Sequence, residues 1–452
     1  MEKIDRREFL KIAGAAGAAL VAGGCTAGGS EDSAGRGALK PGGGDMTYRI
    51  NPKTSEKVSL LGYGCMRWPL LDNPVHGQSV IDQEEVNRLV DYAIEHGITY
   101  FDTDPLYIQG WSEPATGKAL SRHPRESYTI ATKLSNFNDF STQAAKKMYH
   151  NSFKRLQVDY IDYYLLHAVG GGSGMELLRK RFFDNGILDF LVEERSAGRI
   201  RNLGFSYHGD VKVFDYLISL HDQVKWDFVQ IQMNYVDWHN AVNDADAEYL
   251  YGELSSRGIP VVIMEPLLGG RLAKVNEHIT QQFKMKRPKD SVASWAFRFA
   301  GSYPGVLTVL SGMTYMEHLV DNLSTYSPLE PLSQQELEFL LEAGDQIAAF
   351  PVVPCTGCQY CMPCPYGVNI PAVFAHYNKC ITEGAILDTA ASEYKKARRE
   401  YLIGYDRAVP KLRQADHCIG CGRCIKHCPQ QIKIPRMMRE IDEFTESLKQ
   451  HL

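Results

Sequence analysis

No apolar run beyond residue 25 of this 452-residue chain is long enough to cross a bilayer, which takes about 20 strongly apolar residues. Neither charge dominates. Acidic residues number 54 against 49 Lys and Arg, and the lysines are scattered, so no basic stripe is offered to a nucleic acid. No short repeat punctuates the chain. The one glycine-rich loop, Gly170-Gly171-Gly172-Ser173-Gly174, lacks the Lys-Ser/Thr of a phosphate loop and reads better as a mobile segment beside a substrate. Cysteine is scarce outside the C-terminal region: only Cys25, Cys65 and Cys380 of the eleven lie outside two dense runs. What is present, 44% hydrophobic and 23% charged residues, is ordinary for a globular enzyme, and the length suits two domains once a leader is set aside.

The two runs are Cys355, Cys358, Cys361, Cys364-Pro365 and Cys418, Cys421, Cys424, Cys428-Pro429. Thiolates so spaced can converge on one iron–sulfur cube, and a closing Cys-Pro marks runs whose fourth cysteine crosses to a second cube. The first run is one residue shorter before its last cysteine, with Met362-Pro363 between Cys361 and Cys364. CxxC pairs also build structural zinc sites, which stay open as the rival, although zinc does not call for two proline-closed runs. Disulfides across such short loops would strain the bond. The pair of runs resembles the bacterial two-cluster ferredoxins. That resemblance implies two [4Fe–4S] clusters, one on Cys355, Cys358, Cys361 and Cys428, the other on Cys418, Cys421, Cys424 and Cys364.

At the other end, Arg6-Arg7-Glu8-Phe9-Leu10-Lys11 precedes a mildly apolar Ala/Gly stretch from Ile12 to Gly24. This resembles the twin-arginine export signal, read by the Tat machinery. A reducing compartment suits cluster assembly before export. The location implied is periplasmic, or extracytoplasmic and membrane-anchored. Val21-Ala22-Gly23-Gly24-Cys25 looks like an imperfect lipobox; a lipid anchor at Cys25 and cleavage elsewhere both stay open. Residues 26–45, rich in Gly and Ser, read as a tether.

Between the ends, apolar runs alternate with helix-period stretches. The runs are Val58–Tyr63, which has room for a short hairpin at its start, Ile98–Asp102, Tyr128–Lys133, Tyr160–His167, Ile200–Ser206, Phe228–Asn234, Pro260–Glu265 and Val306–Ser311. Amphipathic stretches such as Asp82–His96, Thr142–Leu156 and Ala245–Arg257 separate them. Fully apolar strands alternating with helices predict a parallel sheet covered outside, and eight such units fit a (β/α)8 TIM barrel. The expected organisation is a leader and tether over 1–45, a barrel over 46–332, and a mainly helical ferredoxin-type domain over 333–452.

Chemistry in such barrels gathers at the C-terminal strand ends. There stand Asp102, Lys133 and His167, with Tyr107 five residues beyond Asp102. Each has an ordinary structural reading taken singly: a cap, a snorkelling lysine, a satisfied core histidine. The four in this order, with Phe101-Asp102-Thr103, Ala131-Thr132-Lys133, Leu165-Leu166-His167 and Gly204-Phe205-Ser206, resemble the aldo/keto reductase superfamily over roughly residues 48–326. The resemblance implies that Tyr107 is the general acid, that Lys133 and Asp102 tune it, and that His167 orients a carbonyl. A buried ammonium beside the phenol would lower its pKa. The implied reaction is reversible hydride transfer between NAD(P)(H) and a small-molecule carbonyl or alcohol.

By the same resemblance Ser206 and Gln230 hold the nicotinamide carboxamide, with Asn234 close by. The seventh strand departs from the family, with Met264-Glu265-Pro266 where an aromatic-Ser-Pro is usual. Ser311-Gly312-Met313 through His318 to Asn322 matches the frame of the nucleotide-binding loop, with Gly312 and His318 where a lysine and an arginine often clamp a 2′-phosphate. Trp68, Trp111, Tyr107 and Trp238 are candidate pocket walls. Cys65 and Cys380 read as buried thiols, and His208 as a neighbour of the ligand or a structural residue. Two accounts stay open: an exported enzyme whose clusters serve a redox protein partner, and an electron-transfer or binding protein on a vestigial barrel.

Overall fold

The computed structural model describes residues 45–71, 80–241, 245–383 and 393–450. The expected leader, its paired arginines and Cys25 lie outside the described residues. The described chain begins with an antiparallel hairpin, β1 (Tyr48–Ile50) and β2 (Lys57–Ser59). It covers the N-terminal mouth of the barrel, where Asn51 donates to the Tyr163 hydroxyl at 2.9 Å. Eight parallel strands then close on themselves: β3 (Leu61–Gly64), β4 (Tyr100–Asp102), β5 (Thr129–Leu134), β6 (Ile161–Val169), β7 (Ile200–Tyr207), β8 (Phe228–Gln232), β9 (Val261–Met264) and β10 (Val306–Ser311), the last pairing with β3. All eight apolar runs become strands, and the first does begin with a hairpin.

Helices between the strands cover the outside. Several start on an acidic or hydroxyl cap: Asp82, Ser141, Asp210, Asp246 and Ser291 each accept a backbone N–H of the first turn. The strands are buried on both faces, as a covered parallel sheet requires. Phe101, Ile130, Leu134, Leu166 and Phe205 join the large core beneath the helices, whereas Tyr100, Ala131, Tyr163, Leu165, Phe228 and Val262 fill the barrel itself. Gly204 admits this crowding, since a Cβ there would lie 2.3 Å from the Phe228 carbonyl oxygen.

The helix Gln334–Ala348 opens on a capping box between Ser333 and Glu336. Leu340, Ala343 and Ile347 on it belong to the barrel's core, so the barrel packing runs past the expected boundary at 332. The rest of the chain builds a second, smaller core from Val353, Phe374, Ile432, Met438 and Ile441, against which the cysteine loops pack. Helices Ile370–Thr382, Tyr394–Ala408 and Ile434–Gln450 frame it. This domain sits on the C-terminal ends of the strands. Arg67, after β3, donates to the Thr356 carbonyl at 2.7 Å, and Gln430 donates to Gln232 at 2.9 Å. Gly269, at φ 69°, lies so close to Thr356 that a Cβ would meet its Cα at 2.4 Å.

Candidate active site

Period-two alternation aims the site. Tyr100, Ala131 and Leu165 face the barrel interior, so Asp102, Lys133 and His167, each two residues further, face inward at its top. By the same count Ser206 and Gln230, which are register partners, face inward from β7 and β8. Lys133 is fully buried, and its Nζ reaches Asp102 Oδ1 at 2.5 Å and the Thr103 carbonyl at 2.8 Å. It stands 4.9 Å from the centre of the Tyr107 ring.

The ammonium is engaged by Asp102 and a carbonyl, and burial pushes the Tyr107 phenol above the ordinary tyrosine range, with Tyr360 and the carboxylates of Asp102 and Asp104 adding to the rise. Burial also raises the Asp102 carboxyl, against the pull of Lys133.

Tyr360 lies between Cys358 and Cys361, and the cysteine loop carries its phenol to that of Tyr107. Its ring also meets His167 edge-on, centres 6.3 Å apart. Around His167 stand two further polar residues that the motifs did not single out. Asp104 Oδ2 lies 3.0 Å from His167 Nδ1, and Ser135 Oγ lies 2.5 Å from the same nitrogen while donating to Asp104. Asp104 Oδ1 accepts the Leu106 amide at 2.7 Å. Burial would raise Asp104, yet His167, Lys133 and Ser135 together hold it below the usual carboxylate range. The only trace of this group in the sequence is a second aspartate before a proline, which reads as a turn.

A cavity of about 1080 Å³ opens between the barrel top and the cysteine loops. Trp68, Tyr107, Phe137, His208 and Tyr360 line it, together with Gly171 and Gly172 and all the run cysteines except Cys355. Burial pushes His208 down to about 3, so it stays neutral. Two expected pocket walls lie elsewhere: Trp111 is 59% exposed, and Trp238 packs on Tyr303 in the core with ring centres 4.7 Å apart.

The other sequence-chosen residues take varied places. Ser206 Oγ accepts the Ala168 amide at 2.9 Å, and Gln230 leaves its buried side-chain oxygen without a partner. Asn234 does not turn to the site; it bonds Asp237 and the Glu265 carbonyl. Met264 is buried at the end of β9, and Glu265 accepts the Gly269 amide at 2.5 Å. Gly312 lies under the Arg67 side chain, His318 packs on Tyr315, and Asn322 donates to Ser311 Oγ at 2.9 Å. Cys65 and Cys380 are buried thiols.

None of the eight run cysteines is in a disulfide. They gather as two sets. After burial, which dominates, the thiols of Cys358 and Cys361 are raised by Cys355 and Cys428, whereas that of Cys424 is raised by Cys418, Cys421 and Cys364. Among the described residues no three such side chains close around a single ion, and the four thiolates of a cube, each on its own iron, stand wider apart than that.

Three family models match the chain: "Aldo/keto reductase family" over residues 60–343, "4Fe-4S dicluster domain" over 354–433, and the twin-arginine translocation signal over 3–23. L-galactose dehydrogenase of Arabidopsis thaliana is 26% identical over 322 residues, covering 66% of this chain and 95% of that protein. Among solved structures, a thermostable aldo-keto reductase in complex with the inhibitor epalrestat is 25% identical with a TM-score of 0.52, covering 66% of this chain and 99% of its own. An aldo-keto reductase from Klebsiella pneumoniae in complex with NADPH, 22% identical with a TM-score of 0.52, covers 66% and 95% and shares the fold.

Proposed function

The chain belongs to the aldo/keto reductase family, and from that premise we propose an exported oxidoreductase that moves hydride between a nicotinamide nucleotide and a carbonyl or alcohol, with two [4Fe–4S] clusters coupled to the barrel. The observation that carries this reading is the convergence of Asp102, Tyr107, Lys133 and His167 at the barrel top, where Tyr107 joins the run cysteines in lining one cavity. The similarity to L-galactose dehydrogenase favours a sugar-like substrate bearing hydroxyl groups.

The residues fit both groups. The unpartnered oxygen of Gln230 is a buried acceptor suited to a carboxamide N–H. Ser206 and Gln230 would hold that carboxamide, Met264 would pack on the ring, and Gly312, His318 and Asn322 mark the segment for the nucleotide tail. The nicotinamide would supply the hydride acceptor or donor. Tyr107 keeps its proton at neutral pH and donates a hydrogen bond to the substrate oxygen, and Lys133 with Asp102 keeps the floor of the site polar and fixed.

For the clusters, mostly half-buried cysteines crowded in two sets of four would as thiolates need positive charge among them, which iron would supply. One set is Cys355, Cys358, Cys361 and Cys428; the other is Cys364, Cys418, Cys421 and Cys424. A hydride carries two electrons and each cluster one, so the pair could exchange a hydride equivalent with a redox protein outside the cytoplasm. Tyr360, which lies between Cys358 and Cys361 and hydrogen-bonds the Tyr107 phenol, would link the cluster-binding loop to the barrel site.

An electron-transfer protein on a silent barrel is the second reading, favoured by Tyr360 already engaging the Tyr107 phenol. Anaerobic protein should contain about eight irons per chain and bind NADP+ or NAD+. Tyr107→Phe should cut turnover of a sugar or aldehyde by about 100-fold or more with the cluster absorption unchanged. Full activity in that variant sinks the catalytic assignment, and a zinc-loaded or metal-free protein sinks the clusters.

A further inference from the structure

The two cysteine sets face different surroundings. The first lies against the barrel: the charges of Glu265 and Arg67 act on Cys355, and Tyr360 beside Cys361 reaches Tyr107. The second faces outward. Cys421 is exposed, and the charges that act on Cys424 come from Cys418, Cys421 and Cys364 of its own set. Ile419, Arg423 and Lys426 line the same cavity as these cysteines, yet all three are exposed, Ile419 by 63%. Ile425 packs beside Gly422 and is itself partly open to solvent. On the other flank Arg413 donates to the Gly367 carbonyl at 3.2 Å, close after Cys364, and its neighbour Leu412 is 79% exposed.

Charge around the second set is as uneven as polarity. Residues 411–427 hold Lys411, Arg413, Arg423 and Lys426 against a single acid, Asp416, in a chain whose net charge is −5. Asp416 stands 3.9 Å from His417 and acts on Asp442 and Lys449 of the helix Ile434–Gln450, so it is drawn toward that helix. A scattered exposed apolar side chain needs no explanation. Three of them around one thiol set, interleaved with cations, make a patch of the kind that marks an interaction site.

We propose that this rim of the second cysteine set is the docking surface for an acidic one-electron carrier protein. The inference rests on the cluster reading above and names the partner's chemistry and the place where it binds. Apolar side chains with charges around them are the make-up of a transient protein interface, and electron-transfer encounters are small. Negative charge on the partner speeds the encounter and orients it. Each encounter passes one electron and no atoms. Two encounters therefore match the electron pair of one hydride, and one proton is exchanged with solvent. A basic carrier is repelled at the same rim. An anionic lipid surface fits less well, since Lys411–Arg413 and Ile425–His427 are single short turns and not the face of an amphipathic helix.

The test uses the full, cluster-loaded chain with two probe proteins, an acidic flavodoxin and a basic cytochrome c. Binding of the oxidised proteins is read by surface plasmon resonance, and electron transfer by stopped-flow absorbance, from flavodoxin hydroquinone to the chain and from the dithionite-reduced chain to cytochrome c. Flavodoxin should bind, and its affinity and rate should fall about 10-fold or more as salt rises from about 0.02 M to about 0.5 M. The cytochrome c rate should rise over the same range. Arg423→Glu/Lys426→Glu should lose about 10-fold at low salt. Arg413→Glu, which is not beside a run cysteine, should lose about 3-fold or more with its iron content unchanged, and it decides the matter if the double variant takes up less iron. Lys147→Glu, exposed on the helix Thr142–Leu156, should change neither readout. A flavodoxin rate indifferent to salt, an equal loss in Lys147→Glu, or full binding in Arg413→Glu overturns the proposal. Attachment to phosphatidylglycerol vesicles that Arg413→Glu abolishes, in a chain that ignores flavodoxin, overturns it in favour of a lipid surface. A chain without iron, or with iron that dithionite does not reduce, overturns the cluster reading itself, whereas a loaded and reducible chain that ignores flavodoxin overturns the docking surface alone.

Discussion

Replacing Lys133 with methionine isolates the buried pair on which the floor of the site depends. Both partners are almost wholly inaccessible, at 0% and 2%, and the second oxygen of Asp102 has no partner at all. Lys133→Met therefore strands a carboxylate whose hydrogen bond and counter-charge came from one ammonium. Breaking a buried pair on one side costs about 3–5 kcal/mol. For a barrel of this size that is a fall in unfolding midpoint on the order of 10 °C. The double replacement Lys133→Met/Asp102→Asn removes both charges and should regain most of the loss.

The pH dependence has a definite sign. Burial raises Asp102 and Lys133 is the main opposition to the rise; without the lysine, burial and the neighbouring Asp104 carboxylate push it up against His167 alone. A carboxyl raised in the folded state contributes stability below its unfolded pKa and loses it as pH climbs through the folded one. The deficit of the single variant should therefore shrink as pH falls from neutral toward the ordinary carboxylate range. Midpoints are compared at one scan rate, since a two-domain metalloprotein need not unfold reversibly. A single variant within about 1 kcal/mol of wild type, or a double variant no better than the single, refutes the reasoning.

The cysteine sets and the domain contact give two more predictions. Cys428→Ala should deplete the cluster of Cys355, Cys358 and Cys361 and leave about four irons on the other set, read by iron analysis and electron paramagnetic resonance; loss of the Cys418 set instead would disprove the crossing. Gly269→Ala should force the barrel and the cysteine loop apart, because the new Cβ meets Thr356 Cα at 2.4 Å and φ is positive. Faster proteolysis in the segment between the domains is expected, and an unchanged cleavage rate counts against a rigid contact there.

Much of the barrel could be read from the chain because its signals are local. A doubly buried parallel strand is a short apolar run, and Tyr128–Lys133 or Val306–Ser311 can hardly be anything else between helices. Period two then carries Asp102, Lys133 and His167 to the same end. Asp104 and Ser135 escaped because nothing local marks them: one sits in a turn, the other just past a strand, and only the stagger of β4, β5 and β6 brings them to one imidazole. Tyr360 escaped for a different reason. Between two cysteines it reads as filler, and its importance depends on how one domain docks on another, which no spacing encodes. Trp238 was misjudged the other way, as a wall of the pocket, because an aromatic near a strand end packs into a core as readily as it lines a cleft.

The roof of the cavity is borrowed. Tyr360 and the loop that brings it belong to the stretch that carries Cys355 to Cys364, so the mouth of the barrel takes its final shape only when that stretch is ordered. The shape of the strand-end cavity and the folding of the cysteine loops are thereby one problem, since side chains of both domains line the same space.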